Sequence, residues 1–336
     1  MKYQELGNSG IMVSRVSLGA WALGGGSVWS DRDTTVNETK ALLDACQEAG
    51  INYIDTAPVY GMGRSEELLG QALRGRRDQF VLQTKCSLNW RKEGGNFHYS
   101  RDGYTVDNDT RGVAIRKDVE GSLTRMQTDY LDVLVVHYVC GSFPVEETVQ
   151  TLENLVREGK IRAYGISNSQ PADLDAYADA ASPNAPGVSL VQEFFSILSP
   201  FHGRKYFPTC TSRRAVFQTY GVLEEGYLTS PEFLDRRFAA SDIRSRLPWT
   251  DPVCQEGLRR AFAAWMPLCR EHGCSFSNLA ESWALSQYDG MNLLVGMRTP
   301  SHVADTARAV EIILSPEEIR AMEETVMPIQ VEVLDK

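Results

Sequence analysis

Short runs of apolar, β-branched residues alternate along this chain with longer stretches in which apolar positions recur every three or four residues. The first pattern reads as strand and the second as amphipathic helix. Strands are expected at residues 16–18, 52–55, 80–85, 131–137, 161–166, 189–194, 215–220 and 292–296. The run LDVLVVH at 131–137 is apolar at nearly every position, as a strand buried on both faces requires. Helical periodicity fills the intervals, at 34–48, 66–73, 110–126, 144–158, 171–181, 255–272, 277–287 and 301–313, with a weak segment at 205–213. Gly50 and Gly159 stand where two of these helices should stop, and Ser315-Pro316-Glu317-Glu318 is a good start signal for a last one.

Eight strands in one alternating series predict parallel strands joined by helical crossovers, an α/β fold of the (β/α)8 TIM-barrel class. A single domain over residues 1–336 is expected, with an open doubly wound sheet as the competing architecture. Two short pieces around Gly7-Asn8-Ser9-Gly10 predict an N-terminal β-hairpin that closes the N-terminal end of the barrel. Two long loops, at 87–108 and 228–251, fall at the C-terminal mouth, and the first is a polar insertion rich in Gly, Asn and Arg. Loops of that length in a compact domain are usually functional.

Composition narrows the partners. The 336 residues are 43% hydrophobic and 23% charged, the balance of an ordinary globular protein, and no apolar run nears the ~20 residues that cross a bilayer. The opening MKYQELGNSG holds no apolar signal core, so a cytoplasmic protein is expected. A net charge of −10 repels nucleic-acid backbones and anionic membrane surfaces. The seven cysteines form no CxxC pair. Cys269-x4-Cys274 encloses His272, but no second ligand pair stands elsewhere, so no metal site is expected and the thiols read as reduced.

Active sites of this barrel sit at the C-terminal strand ends. Asp55 ends the second strand and Tyr60 follows it by five residues; Lys85 ends the third and His137 the fourth. Taken singly, each residue has a commoner structural role: a helix cap, a packed loop ring, a solvated cation, a core histidine. Together at consecutive strand ends they permit a specific chemistry. A phenol alone is a poor proton donor at neutral pH. A nearby ammonium lowers its pKa, a carboxylate keeps that ammonium charged, and a histidine orients a carbonyl oxygen. Such a group suits hydride delivery to a carbonyl carbon. Trp21, Trp29 and Trp90 lie in loops near the expected mouth, as substrate walls or as packing under the long loops.

Three segments carry a family resemblance. Residues 50–70, GINYIDTAPVYGMGRSEELLG, resemble the signature of the aldo-keto reductases; residues 159–168, GKIRAYGISN, resemble the family's fifth strand; and 122–132, SLTRMQTDYLD, resemble the approach to its histidine. The resemblance spans nearly the whole chain and looks closest to a bacterial branch acting on sugars, polyols and small aldehydes. It implies a catalytic tetrad of Asp55, Tyr60, Lys85 and His137 with Tyr60 as proton donor. It implies NADP (NADPH) as cofactor, ahead of NAD. Ser167, Asn168 and Gln192 would hold the nicotinamide carboxamide, and Tyr220 would stack on its ring. The backbone from Gly221 to Leu228, through Leu223 and Gly226, would wrap the pyrophosphate. Gly296, Arg298, His302 and Asp305 would meet the adenosine end, where the guanidinium of Arg298 suits a phosphate.

The chain also departs from the family pattern. Glu224 and Glu225 stand in the pyrophosphate loop, where carboxylates repel phosphate unless they point away or brace the loop. Thr306 replaces an expected Asn, and His302 a stronger base. Tyr138, Val139 and Cys140 after the histidine change the substrate wall. The glycines at 24–26 and at 61 and 63 lack the company of a phosphate-loop or dinucleotide fingerprint. The expected activity is reduction of an aldehyde or ketone, a sugar or polyol-related carbonyl being one candidate. The alternatives are a nicotinamide-nucleotide-sensing regulatory protein with little turnover, and a Schiff-base lyase using Lys85.

Overall fold

The computed structural model describes residues 1–29, 33–183 and 185–331. Its centre is a closed barrel of eight parallel strands: β1 Val16–Gly19, β2 Tyr53–Asp55, β3 Val81–Cys86, β4 Leu131–Val136, β5 Ile161–Ser167, β6 Val188–Phe194, β7 Val216–Tyr220 and β8 Met291–Val295. Each strand pairs with its neighbours in chain order, and β8 pairs back to β1. Around it run α1 Val36–Glu48, α2 Arg64–Ala72, α3 Gly112–Met126, α4 Val145–Arg157, α5 Pro171–Ala180, α6 Phe207–Arg213, α7 Pro252–His272, α8 Phe276–Ser286, α9 Pro300–Thr306 and α10 Pro316–Val326. The weak helical segment at 205–213 is α6, with a separate helical turn, Phe201–Arg204, just before it. No helix of the described residues is long and apolar enough to cross a membrane.

Local chemistry sets the helix starts. Thr35 accepts from the Glu38 N–H while the Glu38 carboxylate accepts from Thr35 N, a reciprocal cap on α1. Ser275 caps α8 and Ser315 caps α10 in the same way.

The barrel interior is layered along its axis. The N-terminal hairpin, Tyr3–Glu5 paired with Met12–Ser14, closes the bottom, as the sequence predicts. Its Leu6, Ile11 and Val13 pack on the inward residues Tyr53, Val81, Val133, Ala163, Leu190 and Val216 in one buried apolar cluster. A layer of buried polar side chains follows, and the strand ends lie above it.

The insertion at 87–108 is not the irregular loop expected from its polarity. It folds as a three-stranded antiparallel sheet of Leu88–Asn89, Asn96–Arg101 and Tyr104–Asn108. Asp102 and Gly103, with φ of 51° and 80°, form the two-residue turn between the long arms, the pairing that right-twisted hairpins favour. Asp102 accepts from the backbone N–H of Ser27 at 3.3 Å, so the flap reaches across to the loop after β1.

The glycines at 24 and 61 find their reason here. The loop after β1 crosses the loop after β2 so closely that a Cβ on Gly61 would sit 2.1 Å from the Gly24 carbonyl oxygen. Gly61 also holds a φ of 63°, a left-handed conformation that strains a side-chain-bearing residue. Gly61→Ala should therefore cost more than about 2 kcal/mol in urea unfolding, whereas Gly75→Ala should cost about 1 kcal/mol. Gly75 has a φ of 79° but open space around it. Equal shifts of the two midpoints would contradict the crossing.

Candidate active site

Register brings the four tetrad residues together. Asp55 is paired with Gln83 across β2 and β3, so both point inward in the same layer, and Lys85 follows two residues later on the same face. Glu66 braces this strand from outside, accepting from Thr84 Oγ1 at 2.7 Å and from Arg125 Nε at 2.6 Å. His137 follows β4 directly, its N–H donating to the Cys86 carbonyl at 3.0 Å.

Lys85 is fully buried, and its ammonium has three partners. It donates to both oxygens of Asp55, at 2.7 and 2.6 Å, to the Thr56 carbonyl at 3.0 Å and to the Tyr60 hydroxyl oxygen at 3.1 Å. An ammonium has three N–H groups, so this set saturates it. The Tyr60 oxygen accepts from Lys85, which leaves its own proton to point elsewhere. The rings of Tyr60 and His137 meet edge to face with centroids 5.9 Å apart. His137 Nδ1 is buried and has no hydrogen-bond partner among the described residues.

The proton positions correct one expectation. The ammonium was expected to lower the Tyr60 pKa, yet burial, and after it the charge of Asp55, push it well above the ordinary phenol value. The cause is that Asp55 cancels the charge of Lys85: the phenol faces a compact neutral pair, and desolvation of the phenolate dominates. Burial also lowers the Lys85 pKa while Asp55 opposes it. His137 is pushed well below the usual histidine range, first by burial and then by the Lys85 charge, so it is a neutral imidazole. The site thus holds a protonated phenol, a neutral imidazole and a bound ion pair.

Beneath the tetrad lies a chain of amides that sequence reasoning missed. Gln83 Nε2 donates to Asp55 Oδ1 at 2.5 Å and to Gln218 Oε1 at 2.8 Å, while Tyr53 donates to Gln83 Oε1. Gln218 Nε2 donates onward to Asn292 Oδ1 at 2.9 Å, and Asn292 Nδ2 ends the chain on the Ser14 carbonyl at 2.8 Å. The available signal was parity: Gln83 shares a strand face with Lys85, and inward amides in a barrel need partners.

A cavity of about 1150 Å³ opens above the strand ends. Asp55, Tyr60 and His137 line it, as do Asn168, Gln192, Tyr220, Gly221, Leu223, Gly226, Gly296, Arg298, His302 and Asp305. Trp21 and Trp29 line it too, their rings 5.0 Å apart. Four expected residues stand apart from its wall, the first being Lys85, enclosed behind Asp55 and Tyr60. Ser167 is wholly buried and accepts from Asn168 Nδ2 at 3.1 Å. Leu228 is in the core, and Trp90 packs under the flap beside Tyr104 and Arg125.

Polar groups in the wall are already oriented. Gln192 Nε2 donates to Asp55 Oδ1 at 3.1 Å and Gln218 Oε1 at 2.7 Å, leaving Oε1 uncommitted. Asn168 donates to the His137 carbonyl at 2.8 Å and accepts from the Tyr220 hydroxyl at 2.7 Å, tying three strand ends together. Glu224 points away from the cavity, buried, accepting from Trp249 Nε1 at 2.8 Å and from Ser196; it braces the loop, one of the two outcomes its position allowed. Glu225 faces the cavity. The absent Cβ of Gly221 matters: it would lie 1.9 Å from the Phe194 ring, so the loop after β7 turns tightly here with φ 72°. At the far end His302 Nδ1 accepts from Arg298 N at 3.4 Å, and burial followed by the Arg298 charge lowers its pKa, leaving Arg298 as the cation. The flap adds His98, Tyr99, Arg101 and Asp102 to the wall, with the His98 ring tilted against Tyr138, centroids 4.4 Å apart.

The profile of the Aldo/keto reductase family matches residues 15–326, and the chain belongs to that family. It is 34% identical over 331 residues to the NADH-specific methylglyoxal reductase of Escherichia coli, covering 96% of this chain and 98% of that one. It is 32% identical to the aldo-keto reductase YhdN of Bacillus subtilis, covering 90% and 87%. Among solved structures, the glycerol dehydrogenase of Gluconobacter oxydans superposes with a TM-score of 0.82 at 30% identity, over 97% of this chain and 94% of that one. The family makes the chain an oxidoreductase that works with a nicotinamide cofactor on small carbonyl compounds.

Removing one partner of a buried ion pair strands the other charge. Lys85→Met alone and Asp55→Leu alone should each lower stability by about 3 kcal/mol, and the double variant should lose much less than the sum. Chemical denaturation of the three variants measures this coupling; additive losses would show that the pair does not hold the site.

Proposed function

We propose that this protein is an NADP(H)-dependent reductase of aldehydes or ketones, with Tyr60 as the general acid. What carries the reading is the hydrogen-bond set of Lys85: with its three N–H groups on Asp55, Thr56 and Tyr60, the phenol proton is the one the site has to give. A carbonyl oxygen set against Tyr60 and the neutral His137 meets two neutral groups, one of them a fixed donor. A reduced nicotinamide held there by Gln192 and Tyr220 would supply the hydride. As charge builds on the oxygen, Tyr60 hands over its proton, and the phenolate left behind is held by the Lys85 ammonium. Donation by a positioned acid of this kind is worth roughly 10²- to 10⁴-fold in rate.

The wall residues fit the cofactor. Gln192 Oε1 is an acceptor for a carboxamide N–H. Tyr220 presents a ring beside it, and the tight turn at Gly221 lets backbone approach a pyrophosphate. Ser167, Leu228 and Trp90 have no part in this reading. NADP over NAD rests on Arg298, which stands beside a neutral His302 at the adenosine end. The NADH-specific relative makes this the point to test.

For the substrate we infer a small, oxygen-rich carbonyl, of the sugar or polyol kind. The flap brings His98, Arg101 and Asp102 to the mouth, groups that pair with hydroxyls, between the aromatic walls Trp21 and Trp29. Methylglyoxal and glycerol, in the names of two relatives, are small oxygenated molecules of the same sort. The seven free thiols suit a cytoplasmic setting. Against Lys85 as a Schiff-base nucleophile stands its complete enclosure, with every N–H engaged.

Tyr60→Phe should bind reduced nucleotide within about twofold of wild type while kcat for carbonyl reduction falls by about a thousandfold. Stopped-flow fluorescence separates the two; a variant reducing aldehydes at the wild-type rate would remove Tyr60 from the acid role. Arg298→Ala should weaken NADPH binding by about tenfold and leave NADH unchanged, the loss of one charge-assisted contact. Equal loss for both nucleotides would refute the 2′-phosphate assignment.

A further inference from the structure

The turn that ends α7 joins two of the seven cysteines. Gly273 takes the left-handed conformation, φ 58° and ψ 41°, and both it and Cys274 donate their backbone N–H to the Cys269 carbonyl, Cys274 at 2.9 Å. A helix end closed in this way presses the side chain of the residue after the glycine onto the one four positions before it. That contact is usually between two hydrocarbons. Here the two residues brought together are Cys269 and Cys274, close enough that each thiol shifts the pKa of the other. Cys269 is buried and Cys274 half-buried. His272, between them in sequence, is engaged with Glu318 at 2.7 Å and takes no part.

The turn is tied to the wall of the cavity. Ser275, next to Cys274, donates to Asp305 Oδ2 at 2.8 Å. Asn278 donates to the Asp305 carbonyl at 2.9 Å, and Arg308 donates to the Gly273 carbonyl at 2.6 Å. Asp305 and Ser277 line the end of the cavity that also holds Arg298. A change in the Cys269–Cys274 separation therefore pulls on the residues that set this end.

We propose that Cys269 and Cys274 form a redox-active dithiol, oxidised by low-molecular-weight disulfides to an intrachain disulfide that weakens nucleotide binding at the Arg298 end of the cavity. Cys274 is the first nucleophile: it is the more exposed, and the neighbouring Cys269 thiol offsets part of the upward shift that burial imposes on it. Its thiolate attacks one sulfur of the external disulfide, whose S–S bond breaks and expels one thiolate. Cys269, whose thiol burial pushes up to about 12, acts second. Its sulfur attacks Sγ of Cys274, the mixed disulfide breaks and the second external thiolate leaves. Two protein thiols are oxidised, one external disulfide is reduced to two thiols, and the protons pass to those leaving groups.

The weakening rests on the nucleotide site proposed above; the disulfide does not. The test incubates the intact protein with graded mixtures of glutathione and glutathione disulfide, alkylates it and maps the cysteines by mass. The Kd for NADPH is measured on the same samples by fluorescence. Expected are a Cys269–Cys274 crosslink, reversed by dithiothreitol, and a Kd raised by about fivefold, an effect absent in Cys274→Ser. A pair that stays reduced while Cys254 is glutathionylated, or a mixed disulfide that persists on Cys274, would overturn the dithiol. A complete crosslink with unchanged Kd would overturn the coupling. A protein that binds neither NADPH nor NADH in either redox state would sink the nucleotide reading and the coupling with it, with the crosslink still judged by mass alone.

Discussion

A lysine ammonium sits fully buried at the centre of this barrel. Burying such a charge is expensive unless it is matched and every proton finds an acceptor. Lys85 meets that condition with Asp55, the Thr56 carbonyl and the Tyr60 oxygen, and each partner is constrained in turn. Asp55 needs its own donors, which are Gln83 and Gln192. Those amides need acceptors, and the demand runs down through Gln218 and Asn292 to the backbone of the hairpin arm at Ser14. The polar layer of the interior follows from one cation.

The same constraint shapes the chemistry. Because Asp55 neutralises Lys85, the pair does not strip Tyr60 of its proton, and burial keeps the phenol intact. Because Lys85 occupies the phenol oxygen as a donor, the O–H is turned outward. A cation that fully dominated the phenol would give a phenolate, which accepts protons and would suit only alcohol oxidation. A phenol left alone would release its proton at too high a cost. For the acid role proposed for Tyr60, the neutral pair would give a donor at rest and a stabilised anion after transfer. The glycines at 24 and 61 serve the arrangement by letting two loops cross at the backbone of Tyr60 and Gly61.

Much of this was legible in the chain. The eight strands fall where alternation placed them, because buried parallel strands have a continuous apolar signature that helices cannot imitate over a few residues. The convergence of Asp55, Tyr60, Lys85 and His137 was visible because strand ends locate them. The flap was missed, although Asp102-Gly103 between Tyr99, Arg101 and Tyr104 is a hairpin signal; the surrounding charges masked the two-residue alternation. The amide chain was missed because which polar residues meet depends on register across strands far apart in sequence, as Gln83 and Gln218 are. Ser167, Leu228 and Trp90 had plausible neighbours in sequence but face the interior or the underside of the flap, which only three-dimensional packing decides. The direction of the Tyr60 pKa was misread since a sequence shows that a cation is near, but not that its counter-ion is nearer.

An ultraviolet difference titration of wild type against Tyr60→Phe, carried from neutral into alkaline pH, reads the ionisation of this phenol without any substrate or cofactor. A phenolate signal emerging only above the range of ordinary tyrosines is the expected result, with the acid protonated throughout the neutral range. A phenolate present at neutral pH would mean that Lys85 acts as an uncompensated charge, and the neutral pair at the heart of the site would have to be given up.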